Sequence, residues 1–235
     1  MNEMIQAKSG QWPTGFRVNP RRVDLPPDLV AAYRTVPSCH AGDVMGRHTG
    51  SIGLKAYHAD LSLVMCGPAI TVRIRPGDNL MIHLAMMMAE PGDVIVIDGG
   101  GDMSTAVIGG LMRTTAVARG LGGFVVDGAL RDVAEWAQPG IAAYAKGHTL
   151  RGPSKDGPGE VNVPVVCGGL AVNPGDLILG DADGVICIPA DDAERLLPLC
   201  HAHADKEKGI AARNATGQLD RDRFDALLRA KGCPV

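Results

Sequence analysis

The chain has 235 residues, enough for one large domain or two small ones, and 46% of them are hydrophobic although only 3% are aromatic. Its formal net charge is −3, without a Lys/Arg block and without an apolar run near the ~18 residues of a membrane span, so neither nucleic acid nor membrane is a predicted partner. The first residues, MNEMIQAKSGQWPTG, lack the apolar stretch of a signal peptide, and we expect a cytoplasmic protein.

The first quarter of the chain is predicted to hold little regular structure. Residues 1–25 are polar and rich in Pro and Gly, which indicates an arm over the surface. Residues 26–36 (PPDLVAAYRTV) predict a short helix with proline in its first turn. The glycine-rich segment that follows, SCHAGDVMGRHTGSIG at 38–53, is predicted to be a loop.

The middle of the chain alternates between strand and helix patterns. The predicted elements are a strand at 66–78, a helix at 78–93 ended by Pro91-Gly92, a strand at 93–98, a helix from Gly110 to Arg119 and a strand at 123–128. The strands at 93–98 and 123–128 are continuously apolar, which is typical of a parallel sheet covered on both faces. This order predicts βαβ units.

The second half of the chain is richer in strands. Segments 140–147, 161–169 and 176–189 have strand patterns and are separated by tight turns. Residues 189–215 predict a helix that Pro198 should bend or interrupt, and residues 221–232 predict a last short helix. Together these patterns indicate one α/β domain rather than two.

The glycine-rich run IDGGGDMSTAVIGG follows a strand, as a nucleotide-binding loop would, but it does not fit one. A dinucleotide fingerprint needs G-x-G-x-x-G leading directly into a helix, with an acid about 20 positions on. Here Asp102 follows the glycines and would repel a pyrophosphate, and the acid of the next strand, Asp127, comes too late. The sequence therefore does not favour a nucleotide cofactor.

Three features are predicted to meet at one edge of the sheet. If 93–98 and 123–127 are parallel strands joined by the helix near Gly110, the crossover is right-handed and the helix runs antiparallel to them. Its N-terminus then lies beside the loops predicted at 99–102 and 128–132, where the strands end. Ligands of open α/β sheets bind at this edge.

The start of this helix suits a carboxylate. The amides of Gly110, Leu111 and Met112 lack helical partners, and the helix dipole places partial positive charge there. Gly109 and Gly110 carry no side chain, so a ligand can approach the backbone. Two glycines inside a helix would cost about 1 kcal/mol each, which favours a helix that begins here.

Arg131 and Asp132 lie next to each other in the adjacent loop. Arg131 offers a charged fork that matches a carboxylate, and Asp132 could hold a hydrated hard cation such as Mg²⁺. From spacing alone, two other interpretations remain open. The pair could be solvated surface charges, or Asp132 could cap the turn DVAEW.

At these residues the sequence resembles a known family. GGLMRTTAVARGLGGFVVDGALRD, RGPSKDGPGEVNVPVVCGG and NPGDLILGDADGVICIP are similar, in this order, to the family that contains class II 4-hydroxy-4-methyl-2-oxoglutarate aldolases and the regulator of ribonuclease E activity A, RraA. The resemblance implies an α-β-β-α sandwich of the swivelling-domain type. It places a single RraA-like catalytic domain at 26–215 and a C-terminal helical extension at 216–235.

The resemblance also implies an activity and a set of site residues. The reaction would be Mg²⁺- or Mn²⁺-dependent cleavage of 4-hydroxy-4-methyl-2-oxoglutarate or 4-carboxy-4-hydroxy-2-oxoadipate to pyruvate and a keto acid, with oxaloacetate decarboxylation as a side reaction. Asp132 would bind the metal, Arg131 and the amides of Leu111 and Met112 would bind the substrate, and Glu207 would reach a neighbouring subunit's metal through water. The assembly would be a homotrimer or hexamer with sites near subunit interfaces.

One position departs from the aldolase pattern. Gly110 stands where the aldolases carry an acidic residue, and Asp102 is the substitute that the sequence suggests. The competing functions are a protein-binding regulator of the ribonuclease E inhibitor type, without catalysis, and a scaffold whose site has decayed.

The histidines indicate a metal site less clearly than Asp132 does. His40 and His83 could be metal ligands, but a lone histidine is more often packed or solvated. His201 and His203 do not share a helix face, so they are not predicted to form a metal pair.

Overall fold

The computed structural model describes residues 13–22 and 24–234. Its strands are β1 (Phe16–Val18), β2 (Lys55–Ala56), β3 (Met65–Ile74), β4 (Val94–Ile108), β5 (Gly123–Leu130), β6 (Ala142–His148), β7 (Gly159–Val161), β8 (Val165–Cys167), β9 (Leu170–Val172), β10 (Leu177–Asp181) and β11 (Gly184–Ile188). Its helices are α1 (Pro27–Tyr33), α2 (Ser38–Val44), α3 (Leu80–Met88), α4 (Gly110–Ala118), α5 (Val133–Trp136), α6 (Ala190–Asn214) and α7 (Arg221–Ala230).

The main sheet has the strand order β1-β7-β3-β4-β5-β6-β2. Its central strands β3, β4, β5 and β6 are parallel, as the βαβ pattern predicted. β10 pairs antiparallel with the beginning of β3 and with β11, and β8 and β9 form a separate hairpin. The second half of the chain is thus rich in strands, as predicted.

Side chains alternate between the two faces of each strand, and three apolar cores therefore form between four layers. In β4, Ile95 and Ile97 pack against the layer of α3 and α4, whereas Val94 and Val96 face the layer of β8 to β11. The other face of β10 and β11 packs against α1, α2 and α6, for example through Leu177. The order of layers is helix, sheet, sheet, helix, so the expected α-β-β-α sandwich is confirmed.

The loop predicted at 38–53 is wrong in its first part, because Ser38–Val44 forms helix α2. The sequence lacks a local cap for this helix. The carboxylate of Asp181, at the end of β10, provides one: it accepts hydrogen bonds from the Ser38 amide at 2.7 Å and from the Ser38 hydroxyl at 2.6 Å. A cap from a distant strand stabilises a helix that local propensity does not predict.

The loop predicted at 99–102 is also wrong, because these residues continue strand β4. Asp98 pairs with Asp127 and Asp102 with Gly128, so β4 advances four residues while β5 advances one. Gly100 and Gly101 have φ of 64° and 73°, which permits such bulges. The bulged strand reaches Ile108 and brings the start of α4 to the end of β5.

Two further expectations differ from the structure. Pro198 does not interrupt α6, whose first half is held by the burial of Leu196 and Cys200 and by a 2.7 Å hydrogen bond from the Tyr33 hydroxyl to the Ala193 carbonyl. Part of the segment predicted as a surface arm, residues 1–25, forms the edge strand β1, paired with β7. Residues 1–12 of that arm lie outside the described residues. No helix of the described chain is long and apolar enough to span a membrane.

Candidate active site

The candidate site lies where β4 and β5 end together. Ile108 pairs with Leu130, and the Arg131 amide donates a 3.0 Å hydrogen bond to the Ile108 carbonyl. α4 begins two residues after Ile108, and Arg131 and Asp132 follow β5 directly. The structure therefore brings together the helix start and the Arg-Asp pair, as expected from the predicted parallel strands.

Asp132 connects the two segments. It stands at the N-cap position of α5, but its side chain makes no capping bond there. Its Oδ2 instead accepts a 2.8 Å hydrogen bond from the Gly110 amide, at the start of α4. The residue has φ 60° and ψ 46°, a left-handed conformation that Asp tolerates better than most residues. Oδ1 has no hydrogen-bond partner within the described residues.

The next two amides of α4 are available to a ligand. Those of Leu111 and Met112 have no hydrogen-bond acceptor in the described part of the chain, whereas that of Arg113 bonds to the Gly109 carbonyl at 3.0 Å. A Cβ on Gly109 would lie 2.6 Å from Asp132 Oδ2, so glycine at this position leaves room for that carboxylate. The arrangement leaves two oriented N–H donors beside a carboxylate.

The Arg131 guanidinium lies in a narrow space between two backbone segments. A Cβ on Gly109 would be 3.1 Å from its Nε, and one on Gly152 would be 2.9 Å from its NH1 group. Its nearest carboxylate is that of Asp132, with 3.6 Å between Nε and Oδ2, and it has no hydrogen-bond partner among the residues described. A guanidinium held in place without a close partner can receive an anion.

Trp136 holds the turn that follows β5 against the apolar core. The indole Nε1 donates a 2.9 Å hydrogen bond to the Arg131 carbonyl, and the ring is completely buried. It meets Phe124 of β5 edge to face, with 5.6 Å between ring centroids. The DVAEW segment is therefore anchored to the core by its tryptophan.

Glu135 is a site residue that the sequence did not reveal. Its carboxylate occupies the space that a Cβ on Gly110 would take, so it overlaps the position of any side chain there. The side chain is exposed and has no ion-pair or hydrogen-bond partner among the described residues. The only sequence signal was its spacing, one helical turn after Asp132. Two carboxylates, those of Asp132 and Glu135, thus flank Gly110.

Asp102 is not brought to this cluster. Its carboxylate accepts hydrogen bonds at 3.0 Å from the amide and from the hydroxyl of Ser104. Arg151 lies closer to the cluster, because its carbonyl accepts a 2.9 Å bond from the Ala106 amide and it precedes Gly152. Arg151 is therefore a basic residue next in sequence to Gly152, whose backbone adjoins the Arg131 guanidinium.

Glu207 and the singled-out histidines lie elsewhere in the chain. Glu207 is on α6, in the opposite outer layer, where it contacts His40 at 2.9 Å and His203 at 3.3 Å. Its predicted role at a neighbouring subunit's metal stays a prediction. His83 lies on α3, where burial lowers its pKa and Lys155 adds to that shift.

Comparisons with known proteins agree with this geometry. Residues 38–187 match the family model described as RraA-like, Aldolase/RraA. The chain is 40% identical over 171 residues to a protein of Halalkalibacterium halodurans provisionally named a 4-hydroxy-4-methyl-2-oxoglutarate aldolase, covering 72% of this chain and 80% of that protein. It is 37% identical over 112 residues to the 4-hydroxy-4-methyl-2-oxoglutarate aldolase of Thermus thermophilus, covering 48% of this chain and 68% of the relative.

A solved structure with the same fold belongs to a protein that is described as an inhibitor-family member rather than as an aldolase. Streptomyces coelicolor RraAS2, described as an unusual member of the RNase ES inhibitor RraA protein family, has a TM-score of 0.72 and 26% identity over 80% of this chain and 97% of its own. The matched residues include α4, β5 and α5, which build the candidate site. The chain belongs to the RraA-like family of aldolases and RraA proteins.

Proposed function

We propose that this protein is a cytoplasmic, divalent-metal-dependent lyase that cleaves 4-hydroxy-2-oxo diacids to pyruvate and a second keto acid. The substrates would be 4-hydroxy-4-methyl-2-oxoglutarate or 4-carboxy-4-hydroxy-2-oxoadipate, with oxaloacetate decarboxylation as a side activity. The observation that carries the proposal is a set of groups without a hydrogen-bond partner in the described part of the chain: the guanidinium of Arg131, whose nearest carboxylate is Asp132 at 3.6 Å, the amides of Leu111 and Met112, and Oδ1 of Asp132. The names of the aldolase relatives support it.

The residues at the site fit a hard cation. Asp132 is partly exposed and holds one carboxylate oxygen free, and the unpaired carboxylate of Glu135 lies on the other side of Gly110. Mg²⁺ and Mn²⁺ prefer oxygen ligands, and Mg²⁺ keeps several waters, so few protein ligands suffice. We propose Asp132 as the direct ligand. A bound ion would supply positive charge at the keto oxygen of the substrate.

The chain's own groups would hold the pyruvyl end of the substrate. The amides of Leu111 and Met112 would bind its carboxylate, whereas the space beside Gly109 and Gly110 is taken by the side chains of Asp132, Arg131 and Glu135. Arg131 would bind the keto oxygen and stabilise the negative charge that develops when the carbon–carbon bond breaks. Oxaloacetate decarboxylation produces the same enolate of pyruvate, so one site can serve both reactions.

Glu135 would replace the acidic residue that aldolases carry at position 110. From its place beside Gly110, the carboxylate can accept a hydrogen bond from a water molecule near Asp132. Such a water is the agent that we propose to take the proton from the 4-hydroxyl group of the substrate. Glu135, which comes from a neighbouring segment, would then supply the carboxylate that is missing at position 110.

The proposed assembly is a homotrimer or hexamer with sites near subunit interfaces. Leu111, at the mouth of the site, is 84% exposed, and we propose that a neighbouring subunit covers it. Sedimentation of the purified protein tests the assembly, and a monomer at micromolar concentration would contradict it.

The activity is tested by pyruvate release from 4-hydroxy-4-methyl-2-oxoglutarate and from oxaloacetate. Rates are measured with Mg²⁺, with Mn²⁺ and with EDTA in excess. We expect turnover with either metal and none with EDTA, restored by added Mg²⁺. Equal rates with Mg²⁺ and with EDTA would refute the metal-dependent lyase.

The second candidate is an RraA-type regulator that binds ribonuclease E without catalysis. It is favoured by the structural likeness to RraAS2. This function predicts metal-independent binding to ribonuclease E and inhibition of RNA cleavage by both the parent protein and its Asp132→Ala variant. Pyruvate release without inhibition favours the lyase, and inhibition without pyruvate release favours the regulator.

A further inference from the structure

A second cluster of metal-ligand side chains lies between α2 and α6. His40 and Asp43 are one turn apart on α2, and His203 and Glu207 are one turn apart on α6. Each pair therefore lies on one helix face, and the two faces meet. His40 and His203 are mostly buried, with 14% and 18% of their side chains exposed. We call these four residues the α2–α6 cluster.

Three residues of the cluster, Asp43, His203 and Glu207, have mutual distances that suit one ion. His203 Nε2 lies 3.1 Å from Asp43 Oδ2 and 3.3 Å from Glu207 Oε1, and His40 Nε2 lies 2.9 Å from Glu207 Oε2. Ligand atoms of Asp43, His203 and Glu207 are all within 4.8 Å of one another. In a tetrahedral site with bonds of about 2.0–2.1 Å, ligand atoms are about 3.3–3.4 Å apart.

Hydrogen bonds alone satisfy the cluster poorly. His203 Nε2 can donate one proton, yet it faces two carboxylates, and His40 directs its own Nε2 to the second oxygen of Glu207. The nearest permanent cation, Arg47, contacts both oxygens of Asp43, with 3.2 Å from Nε to Oδ1 and 3.4 Å from its NH2 group to Oδ2, and is itself exposed. A divalent ion would balance both carboxylates at once.

The donor set points to a class of metal. Imidazole nitrogens with carboxylate oxygens suit Zn²⁺ and its neighbours, whereas Mg²⁺ prefers oxygen alone. The thiol of Cys39 is adjacent to His40 in sequence, but it is not among the ligand atoms that lie within 4.8 Å of one another.

We propose that Asp43, His203 and Glu207 of the α2–α6 cluster bind one divalent transition-metal ion of the Zn²⁺ class and so fasten α2 to α6, with His40 hydrogen-bonded to Glu207 beside them. The site lies in the opposite outer layer from Asp132, and it does not depend on the proposed lyase activity. It gives Glu207 a role within its own chain, separate from the role that the family resemblance implies.

The test uses the full chain carrying Asp132→Ala, which removes the proposed active-site ligand, stripped of metal and titrated with Co²⁺ and then Zn²⁺. We expect one Co²⁺ per chain, with visible bands of a tetrahedral nitrogen and oxygen site and without a thiolate band in the near ultraviolet. Zn²⁺ should displace Co²⁺. At a free Zn²⁺ concentration of about 100 times Kd, Tm should rise by about 5–10 °C.

The matched control is His201, which lies on the same helix but outside the cluster. His201→Ala should bind Co²⁺ like the parent, whereas His203→Ala should bind at least ~10-fold more weakly, since it loses a direct ligand. Glu207→Gln, which keeps the side-chain shape, should weaken binding too and serves if His203→Ala does not fold. No saturable binding, a thiolate band, or equal affinity of the parent and Glu207→Gln would overturn the proposal.

Discussion

Oδ2 of Asp132 accepts a hydrogen bond from the amide of Gly110, with 2.8 Å between the two atoms. One carboxylate thus caps α4 while it stands next to Arg131 at the end of β5. The sequence left open that Asp132 caps the turn DVAEW, and this interpretation is wrong, because its side chain makes no capping bond to α5 and caps α4 instead. The cap uses one oxygen, and the other is free for a cation.

Substitution of Asp132 separates these two roles. Asp132→Asn keeps an oxygen for the Gly110 amide and tolerates the left-handed backbone, but it lacks the charge that a metal ligand needs. We expect Asp132→Asn to retain Tm within a few degrees and to lose metal-dependent pyruvate release. Asp132→Ala should lose activity and also stability, because Ala in a left-handed conformation costs about 1 kcal/mol or more. Metal-dependent turnover at the parent rate in Asp132→Asn would show that this carboxylate is not the ligand.

Substitution of Arg131 tests the anion site. Arg131→Ala should lower kcat/KM for pyruvate release by at least ~100-fold, by analogy with the loss of an oxyanion donor. Arg131→Lys should recover little, because an ammonium group cannot reproduce the fork held between Gly109 and Gly152. Arg195→Lys, an exposed arginine of α6 paired with Asp192, is the control and should leave the rate unchanged. Full activity in Arg131→Lys would argue against fork-like recognition.

The sequence predicted the fold better than the site. Parallel strands at 93–98 and 123–127 followed from continuous apolar runs and the helix start at Gly110 from the cost of glycines inside a helix, and they were enough to place Arg131 beside the start of α4. Helix α2 was missed because Asp181, which caps it, comes from a distant strand. The bulges of β4 were missed because glycines with positive φ are equally typical of loops.

The finer parts of the site depended on contacts across the chain. Glu135 fills the space beside Gly110 only because α5 folds back over the start of α4, and spacing in DVAEW does not show that. The α2–α6 cluster was missed for a similar reason, since His40 on its own gives no metal signal until α6 brings His203 to it. Local patterns predict elements, whereas ligand sets arise from their packing.

Trp136 should act as a positioning residue for Arg131. Trp136→Phe keeps an aromatic ring against Phe124 but removes the indole donor to the Arg131 carbonyl, which should cost about 1 kcal/mol of stability. We expect kcat for pyruvate release to fall while the protein stays folded. Phe124→Leu, which removes the ring contact and keeps the hydrogen bond, should lower Tm and spare kcat. Equal losses of kcat in the two variants would indicate a packing effect alone.

The stability of the protein should decrease in mild acid because of His58. This side chain is buried and contacts the Ala143 backbone, and burial lowers its pKa. The folded protein therefore holds His58 neutral, while the unfolded chain takes up a proton below a pH of about 6.5. Its contribution is present above that pH and is lost as the pH falls below it. The free energy of urea unfolding should be lower at pH 5.5 than at pH 7.5.

Histidine variants identify the source of this slope. His58→Asn should reduce the difference in unfolding free energy between pH 7.5 and pH 5.5, and adding His83→Asn should reduce it further, since the pKa of His83 is lowered too. The exposed His48 is the control, and His48→Asn should leave the difference unchanged. The same pH dependence in the parent and the double variant would assign the slope to other groups.

Moving the carboxylate from position 135 to position 110 tests whether Glu135 replaces the acidic residue that aldolases carry at position 110. Glu135→Ala should lower kcat for pyruvate release by about 10- to 100-fold, a range typical of lost general acid–base help. Gly110→Glu alone should also lose activity, because its side chain overlaps the carboxylate of Glu135. The double variant removes that overlap and places a carboxylate at the first turn of α4, where the helix dipole favours it. We expect its kcat to exceed that of both single variants.

The expected recovery of kcat in this double variant is controlled by a second double variant at the same two positions. Gly110→Gln combined with Glu135→Ala has the same shape as the recovering variant but no charge, and it should stay as slow as Glu135→Ala. Two substitutions in contact are expected to be non-additive, and the sign of the coupling decides between the explanations. Positive coupling for Glu but not for Gln would mean that a carboxylate beside the Gly110 backbone is needed wherever it is attached. Additive losses would mean that Glu135 supports the turn and has no part in the chemistry.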